Sequence, residues 1–299
     1  MEIIGHQKQR DFLKKSVKKE NFSHAYLFYG QEKLGKRKIA LEMISLLLEA
    51  DLGKNQHPDL MIIEPLEGEI RISQIRDLIS WLSLKPYSTP FKAAIIDSAH
   101  LMNWDAQTAL LKTLEEPKGR TILILISENH EHLLPAILSR VQTIKFYPVK
   151  KEEIKKYLKS QNVSEKRSEE ITKISLGRPG IAIEYVLDPK KLEAFEEKIK
   201  ELNKISRSEL SFRFQLAKDL SENLQEFKDI KEIKEMLDIW TSYLRSVLLE
   251  KNLASNEKNK EYSTSKLKKI LELIQSTRLL ILTTNASPRL ALETLMMEI

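Results

Sequence analysis

The stretch that decides the fold is AYLFYGQEKLGKR, which spans residues 25–37. Its first five residues form an apolar run typical of a buried strand, and the residues after it have helical spacing. Gly35 and Lys36 follow Gly30 at the spacing of a phosphate-binding P-loop. In such a loop the glycines let backbone N–H groups surround the phosphates, and the lysine reaches the terminal ones. The alternative is an ordinary turn into a helix, but the full spacing and the strand–loop–helix context favour descent from a P-loop.

The residue after the lysine departs from this motif. A working P-loop has serine or threonine there, because the hydroxyl holds the magnesium ion that accompanies the nucleotide. Arg37 stands in that position. Its guanidinium has five hydrogen-bond donors and no acceptor, so it cannot ligate a cation. We therefore expect a degenerate nucleotide site that does not hydrolyse ATP, and inert nucleotide binding stays open.

A second motif lies one strand–helix unit further along the chain. The apolar run at residues 93–96 ends in Asp97, where ATPases of this kind have the acidic residue that organises the metal. Those ATPases have a carboxylate beside that aspartate, which polarises the attacking water. Ser98 occupies the position and cannot act as a base. The alternative is that Asp97 caps a helix beginning near His100, and both interpretations can hold together.

Short apolar runs alternate with helical segments across the first half of the chain. This alternation predicts an α/β domain with a parallel sheet that helices cover on both faces. The predicted strands are residues 25–29, 60–63, 93–96, 121–126 and 141–146. The predicted helices between them are residues 6–19, 36–48, 72–84 and 101–114.

Beyond Pro148 the strand-like runs stop. Three short helices are predicted next, at residues 151–158, 165–175 and 179–186. After a break at Asp188 and Pro189 the pattern is helical to the last residue, with a polar loop over residues 251–265. These changes predict three domains, at residues 1–149, 150–190 and 191–299.

Composition excludes several kinds of site and partner. The chain has no cysteine, which rules out disulfides, thiolate zinc sites and cysteine nucleophiles. The longest apolar stretches, such as residues 122–126, are too short to cross a bilayer, and residues 1–6 lack the order of a secretory signal. We therefore expect a cytoplasmic protein with no membrane partner. The net charge of +6 permits a weak nucleic-acid contact, but lysine and glutamate interleave nearly everywhere, which is typical of solvated helix faces.

A third motif is Leu138-Ser139-Arg140, between a predicted apolar helix at residues 133–138 and the last predicted strand. An arginine at that junction would project from the sheet edge toward a neighbouring molecule. The alternative is one more surface arginine, since the tripeptide alone is weak evidence. The evidence is stronger because the tripeptide follows the two earlier motifs in order along the chain.

Taken together, these segments resemble the delta-prime subunits of the bacterial DNA polymerase III clamp loader, which are members of the AAA+ family. The likeness runs nearly end to end and is weakest over residues 192–283. The matching segments besides the P-loop are IGHQ (residues 4–7), SHAYLF (23–28), NWDAQTALLKTLEEP (103–117), LSR (138–140), GRPG (177–180) and NASPRLALE (285–293). In the LSR element, Val141 replaces the cysteine of the family's Ser-Arg-Cys motif.

The resemblance implies an AAA+ α/β domain over residues 1–149, a small helical lid over residues 150–190 and a helical oligomerisation collar over residues 191–299. It implies a non-hydrolysing stator in a pentameric ring that loads the sliding clamp on primed DNA during replication. The partners would be the motor and delta subunits, and through the assembled ring the clamp and the DNA. The chain alone would not be an enzyme, although the holoenzyme that it joins is a DNA polymerase.

The resemblance also implies roles for single residues. Arg140 would be an arginine finger that reaches the ATP site of an adjacent motor subunit. The remaining residues would form a degenerate nucleotide site: Gly30, Gly35, Lys36, Arg37, Asp97, Ser98 and Arg178. Many relatives carry a four-cysteine zinc module after the P-loop helix, whereas residues 50–58 here are short and cysteine-free. No zinc, no other metal and no cofactor is therefore expected.

Two alternatives remain. An active ATPase motor subunit of the same loader would be expected to have serine or threonine at position 37 and glutamate at position 98. A stand-alone DNA-binding protein would need a concentrated basic face or stacking aromatic residues.

Overall fold

The computed structural model describes residues 3–52, 57–222, 227–253, 263–283 and 288–299. Residues 53–56 of the cysteine-free stretch, most of the predicted polar loop at 251–265 and residues 285–287 of the last matching segment lie outside these ranges. The chain divides into two compact units. The first comprises Met1–Ser160 and Gly177–Ile181, and the second comprises Gln161–Leu176 and Ala182–Ile299.

The first unit contains the parallel sheet that the sequence predicts. Its strands are β1 (Ala25–Tyr29), β2 (Leu60–Ile63), β3 (Lys92–Ile96), β4 (Thr121–Ser127) and β5 (Gln142–Lys145). The strand order is β2-β3-β4-β1-β5, and every pairing is parallel. Each observed strand lies within one residue of its prediction at both ends. For β1, β3 and β4 the reason is that strands covered on both faces read as continuous apolar runs, whereas the edge strand β5 is mostly exposed.

Helices cover both faces of this sheet. They are α1 (Gln7–Lys18), α2 (Lys36–Leu48), α3 (Ile72–Leu82), α4 (Trp104–Glu115) and α5 (Pro135–Leu138), and α6 (Lys151–Ser160) follows the last strand in the same unit. Tyr26 and Phe28 of β1 pack into a core that includes side chains of α1 and α2. Ala25 and Leu27 point the other way, into a core with side chains of α3, α4 and α5. This division follows from the two-residue period of a strand.

One helix begins later than its sequence pattern predicts. The pattern places the start at residue 101, but residues Ala99–Leu101 form a short 3₁₀ helix and α4 begins at Trp104. The side chain of Asn103 accepts a hydrogen bond from the backbone N–H of Ala106 at 2.9 Å. Asn103 therefore caps α4, and the apolar residues before it belong to the turn that precedes the cap.

The second unit is helical throughout its described residues, as predicted for this part of the chain. Its helices are α7 (Glu165–Ser175), α8 (Pro179–Leu187), α9 (Pro189–Ser206), α10 (Leu210–Glu222), α11 (Phe227–Leu253), α12 (Thr264–Thr283) and α13 (Pro288–Glu298), of which α8 begins in the first unit. Trp240 is fully buried in a core formed by α9 to α13. Within the described ranges, no helix combines the length and the apolar character needed to cross a membrane.

An ion pair joins α1 to α2. Arg10 donates from Nε and Nη2 to the two carboxylate oxygens of Glu42 at 2.8 and 2.6 Å, and Lys14 Nζ lies 3.0 Å from the same carboxylate. The hydrogen bonds from Arg10 lower the pKa of Glu42 to about 2, against the opposing effect of burial. A carboxyl whose pKa is lowered by folding stabilises the fold only while it is ionised.

We predict that Glu42→Gln lowers the free energy of unfolding at pH 7 by about 1 kcal/mol, since the pair is partly exposed and screened by solvent. The difference between the two proteins should shrink as the pH falls from the ordinary value of 4.5 toward 2. Urea unfolding at a series of pH values measures it. Glu116→Gln, at an exposed glutamate after α4, is the matched control. A difference that is constant from pH 7 to pH 3 would contradict this ionic origin.

Candidate functional site

The loop between β1 and α2 has a backbone that glycine allows. Gly30 has a φ of 141° and Gly35 has a φ of 92°, values that residues with a side chain rarely adopt. A Cβ on Gly30 would collide with the carbonyl oxygen of Phe146, directly after β5. Gly35 is the N-cap of α2, so the loop leads straight into the first turn of that helix. Both glycines predicted for a P-loop therefore occupy positions that require glycine.

The side chain of Lys36 turns back into this loop. Lys36 is 6% exposed, and its ammonium donates to the carbonyl oxygens of Gly30 and Gln31, the latter at 2.7 Å. Burial lowers the pKa of Lys36. Three nearby carboxylates act in the opposite direction, those of Glu128, Glu32 and Asp97. The ammonium group that a P-loop directs at phosphate thus has its hydrogen-bond acceptors within the loop itself.

The side chain of Arg37 extends from the first turn of α2 to the residues that follow β2 and β3. Its Nη1 lies 3.2 Å from Oδ2 of Asp97, directly after β3, and also donates to the carboxylate of Glu64, directly after β2. Because β2 and β3 pair in parallel, with Ile63 opposite Ile96, their following residues lie side by side. One guanidinium nitrogen therefore joins two carboxylates at the carboxyl edge of the sheet.

The sequence prediction missed Glu64. A usable signal was present, because Glu64 directly follows a buried strand in the way that Asp97 does. Carboxyl ends of parallel strands meet at one edge of a sheet, and ligands of open α/β sheets bind there. An acidic residue directly after any predicted strand therefore merits inclusion in a candidate site.

Asp97 does not cap a helix. Its Oδ1 accepts the backbone N–H of Ser98 at 2.9 Å, and Asn103 takes the capping role for α4. Ser98 itself has a φ of 56°, a left-handed conformation, at the turn into the 3₁₀ helix. The helix-capping alternative for Asp97 is therefore wrong, and its second carboxylate oxygen is directed at Arg37.

This set of residues does not fit a magnesium ion bound in the manner of a P-loop ATPase. Magnesium takes oxygen ligands in an octahedral arrangement. Arg37 supplies only N–H donors where a hydroxyl oxygen is needed, and it pairs with the aspartate that would face the ion. Among the described residues, no cluster of three or more acidic or histidine side chains is arranged to hold a metal.

The segment with Arg178 lies against the P-loop. The backbone N–H of Gly180 donates to the carbonyl oxygen of Lys33 at 2.8 Å, and a Cβ on Gly180 would lie 2.8 Å from that oxygen. Gly177 has a φ of 77°, and a Cβ there would lie 2.8 Å from the carbonyl oxygen of Val149. The structure therefore brings the backbone of Gly180 to the loop, and the role of Arg178 in the nucleotide site stays a prediction.

Arg140 belongs to a different cluster. Its Nε donates to Glu115 at 3.0 Å and its Nη2 lies 2.6 Å from the same carboxylate oxygen, at the end of α4. Its Nη1 donates to the carbonyl oxygen of Ala136 at 2.8 Å and to the hydroxyl of Ser139 at 3.0 Å. The side chain keeps 34% of its surface exposed. These bonds fix the direction of the guanidinium, while about a third of the side-chain surface stays exposed.

Gln107 determines where the chain before Arg140 lies relative to α4. Gln107 is buried, its amide nitrogen donates to the carbonyl oxygens of Met102 and His132, and its amide oxygen accepts the N–H of Leu134. These bonds attach the segment leading into α5 to the start of α4. Sequence reasoning missed this residue, because a glutamine inside a helical pattern does not reveal partners 25 and 27 residues away.

Comparison with known proteins finds relatives for the first half of the chain. Residues 5–150 match the family model described as DNA polymerase III, delta subunit. The chain is 38% identical over 135 residues to the DNA polymerase III subunit delta' of Pseudomonas aeruginosa, covering 40% of this chain and 41% of the relative. It is 34% identical over 163 residues to the Bacillus subtilis subunit delta', covering 50% of each protein. The chain thus matches about half the length of these relatives or less.

A solved structure extends the likeness in fold. A DNA polymerase III gamma subunit-related protein from Thermotoga maritima aligns with a TM-score of 0.56 at 20% identity, over 97% of each chain. At that identity the match shows the fold alone, which is an α/β domain with a parallel sheet followed by a helical part. Residues 5–150, just under half of this chain, are thus similar to DNA polymerase III delta-prime subunits.

Proposed function

We propose that this chain is a non-hydrolysing subunit of a DNA polymerase III clamp loader. In this role it joins motor and delta subunits in a ring, acts as the stator, and helps to load the sliding clamp on primed DNA. Its own nucleotide site does not hydrolyse ATP, and its Arg140 contacts the nucleotide bound by a neighbouring subunit. The observation that carries the proposal is the contact of Arg37 with Asp97, in a chain whose relatives are delta-prime subunits.

The contact of Arg37 with Asp97 argues against hydrolysis in this chain. A motor subunit needs a hydroxyl and an aspartate to hold magnesium, and a base to polarise the attacking water. Here the hydroxyl is replaced by a guanidinium that engages the aspartate, and the position of the base is Ser98. These changes remove separate contributions to the same step, so an active motor subunit is the less favoured alternative.

The charges around Lys36 support the same conclusion. The Lys36 ammonium donates to carbonyl oxygens of its own loop, and Glu32 and Glu128 lie close enough to affect its pKa. An approaching triphosphate would meet these carboxylates and would have to draw the lysine away from its present acceptors. Weak binding of a nucleotide without turnover is compatible with this arrangement.

The fixed direction of Arg140 supports a role in trans. An arginine finger stabilises the charge that develops on the transferred phosphoryl group, and this effect is large only when the guanidinium is already in place. Bonds to Glu115, Ala136 and Ser139 hold Arg140 at the end of α5 while a third of its side chain stays exposed. Ordering this side chain before assembly reduces the entropy lost when it meets the neighbour's phosphate.

The collar offers apolar surface for assembly, although most of its leucines serve its own core. Leu292 and Leu295 of α13 are fully buried, as is Ile274 of α12 at 1% exposure. Leu290 and Met297 of α13 are 64% and 60% exposed. These two side chains are candidates for contact with the collars of other ring subunits.

We predict that the isolated chain shows no ATP turnover above the buffer blank in magnesium buffer. The reason is that Arg37 replaces the ligand of the metal and Ser98 replaces the base. Release of inorganic phosphate measures it, and Lys36→Ala is the control for a contaminating ATPase. Turnover that is present in the wild type and absent in Lys36→Ala would contradict the proposal.

We predict that Arg140→Ala leaves ring assembly intact and slows ATP turnover at the adjacent motor site by about 10³- to 10⁵-fold. DNA- and clamp-stimulated ATPase of the reconstituted ring measures the effect, with assembly followed by gel filtration. Arg140→Lys is the matched variant, because a point charge restores a simple ion pair but not the planar fork of a finger. Full turnover in assembled Arg140→Ala rings, or equal rescue of assembly and turnover by lysine, would remove Arg140 from the mechanism.

A further inference from the structure

The fold places a divalent cation between the first turn of α2 and the aspartate after β3 in P-loop ATPases. In this chain the guanidinium of Arg37 lies between the same two elements, and it also engages Glu64 after β2. We propose that Arg37 is a built-in cation that takes over the structural role of the metal. It holds the carboxylates of Glu64 and Asp97 against the start of α2 without magnesium and without nucleotide.

A cation is needed because two acidic residues lie next to each other at the ends of β2 and β3. Glu64 and Asp97 follow the paired residues Ile63 and Ile96, and the N–H of Asp97 donates to the carbonyl oxygen of Ile63 at 2.9 Å. The ladder thus continues to the two acidic residues and holds them next to each other. Neighbouring carboxylates repel each other unless a cation lies between them. Arg37 supplies that charge, and its Nη1 reaches both groups.

A guanidinium differs from a metal ion in what it permits. Its N–H donors can contact several oxygen atoms, but it does not arrange them octahedrally and it cannot activate a bound water as a magnesium ion does. It also cannot leave the site by dissociation. The inference concerns the nucleotide-free site and rests on the contacts of Arg37 alone, independently of any role for Arg140.

The inference predicts that a divalent cation can replace Arg37 once the guanidinium is removed. In Arg37→Thr the carboxylates of Glu64 and Asp97 lose their counter-ion, and a hydroxyl takes the place that P-loops use for the metal. In EDTA the melting temperature of full-length Arg37→Thr should be about 2 to 4 °C below that of the wild type. Added MnCl₂ should raise it back in a concentration-dependent manner, because ions that bind only the folded state stabilise it.

Matched variants separate this effect from a general effect of salt. Wild type and Arg37→Lys keep a cation at the position and should show no response to MnCl₂ beyond that of KCl at equal ionic strength. Arg37→Thr combined with Asp97→Asn lacks one carboxylate and should lose the response. Electron paramagnetic resonance of Mn²⁺ counts the bound ions directly, with one expected for Arg37→Thr and none for the wild type.

Two results would overturn the inference. One is a melting temperature of Arg37→Thr that equals the wild type in EDTA and does not change with MnCl₂. The other is an equal MnCl₂ response in wild type and variant. Arg37→Gln, which keeps most of the length of the side chain without its charge, replaces Arg37→Thr if that variant does not fold. Neither measurement involves nucleotide or partner subunits. A result that overturns this inference is therefore distinct from a result that overturns the proposed function.

Discussion

Strand β1 pairs with β4 on one side and with β5 on the other, and its side chains from Ala25 to Phe28 are withdrawn from solvent. Helices pack on both faces of it, so no face of this strand is available to a ligand. Polar chemistry is therefore confined to the loop that follows the strand. Asp97 and Glu64 lie at the same edge of the sheet as this loop, because they stand at the carboxyl ends of β3 and β2 in the same parallel sheet.

Part of this site can be predicted from sequence because its determinants are local. Gly30 and Gly35 take backbone angles that few other residues adopt, so their spacing carries the loop geometry directly. The central strands β1, β3 and β4 are equally accessible to prediction, since burial on both faces demands continuous apolar runs. The loss of the metal ligand was also visible, because one residue type at position 37 decides whether an oxygen is present.

The contacts of the site could not be predicted in the same way. That Arg37 pairs with Asp97 depends on residues 60 positions apart, and that it reaches Glu64 depends on the register of β2 against β3. The same holds for Arg140, whose partner Glu115 is 25 residues away at the end of another helix. The predicted start of α4 is wrong because the apolar pattern extends to residues before Asn103, whereas the helix begins after the cap at Asn103. The structure divides the chain into two units, and the three domains with boundaries at residues 150 and 190 remain a prediction.

The tethering of Arg37 to the backbone has a consequence for how the site responds to the cell. Occupancy by a free metal ion follows mass action, so a site held together by magnesium and nucleotide changes its population as their concentrations change. A counter-ion that is part of the polypeptide has no such dependence. On the proposal that Arg37 replaces the metal, the arrangement of Glu64 and Asp97 forms when the chain folds and does not change with the concentrations of magnesium and nucleotide.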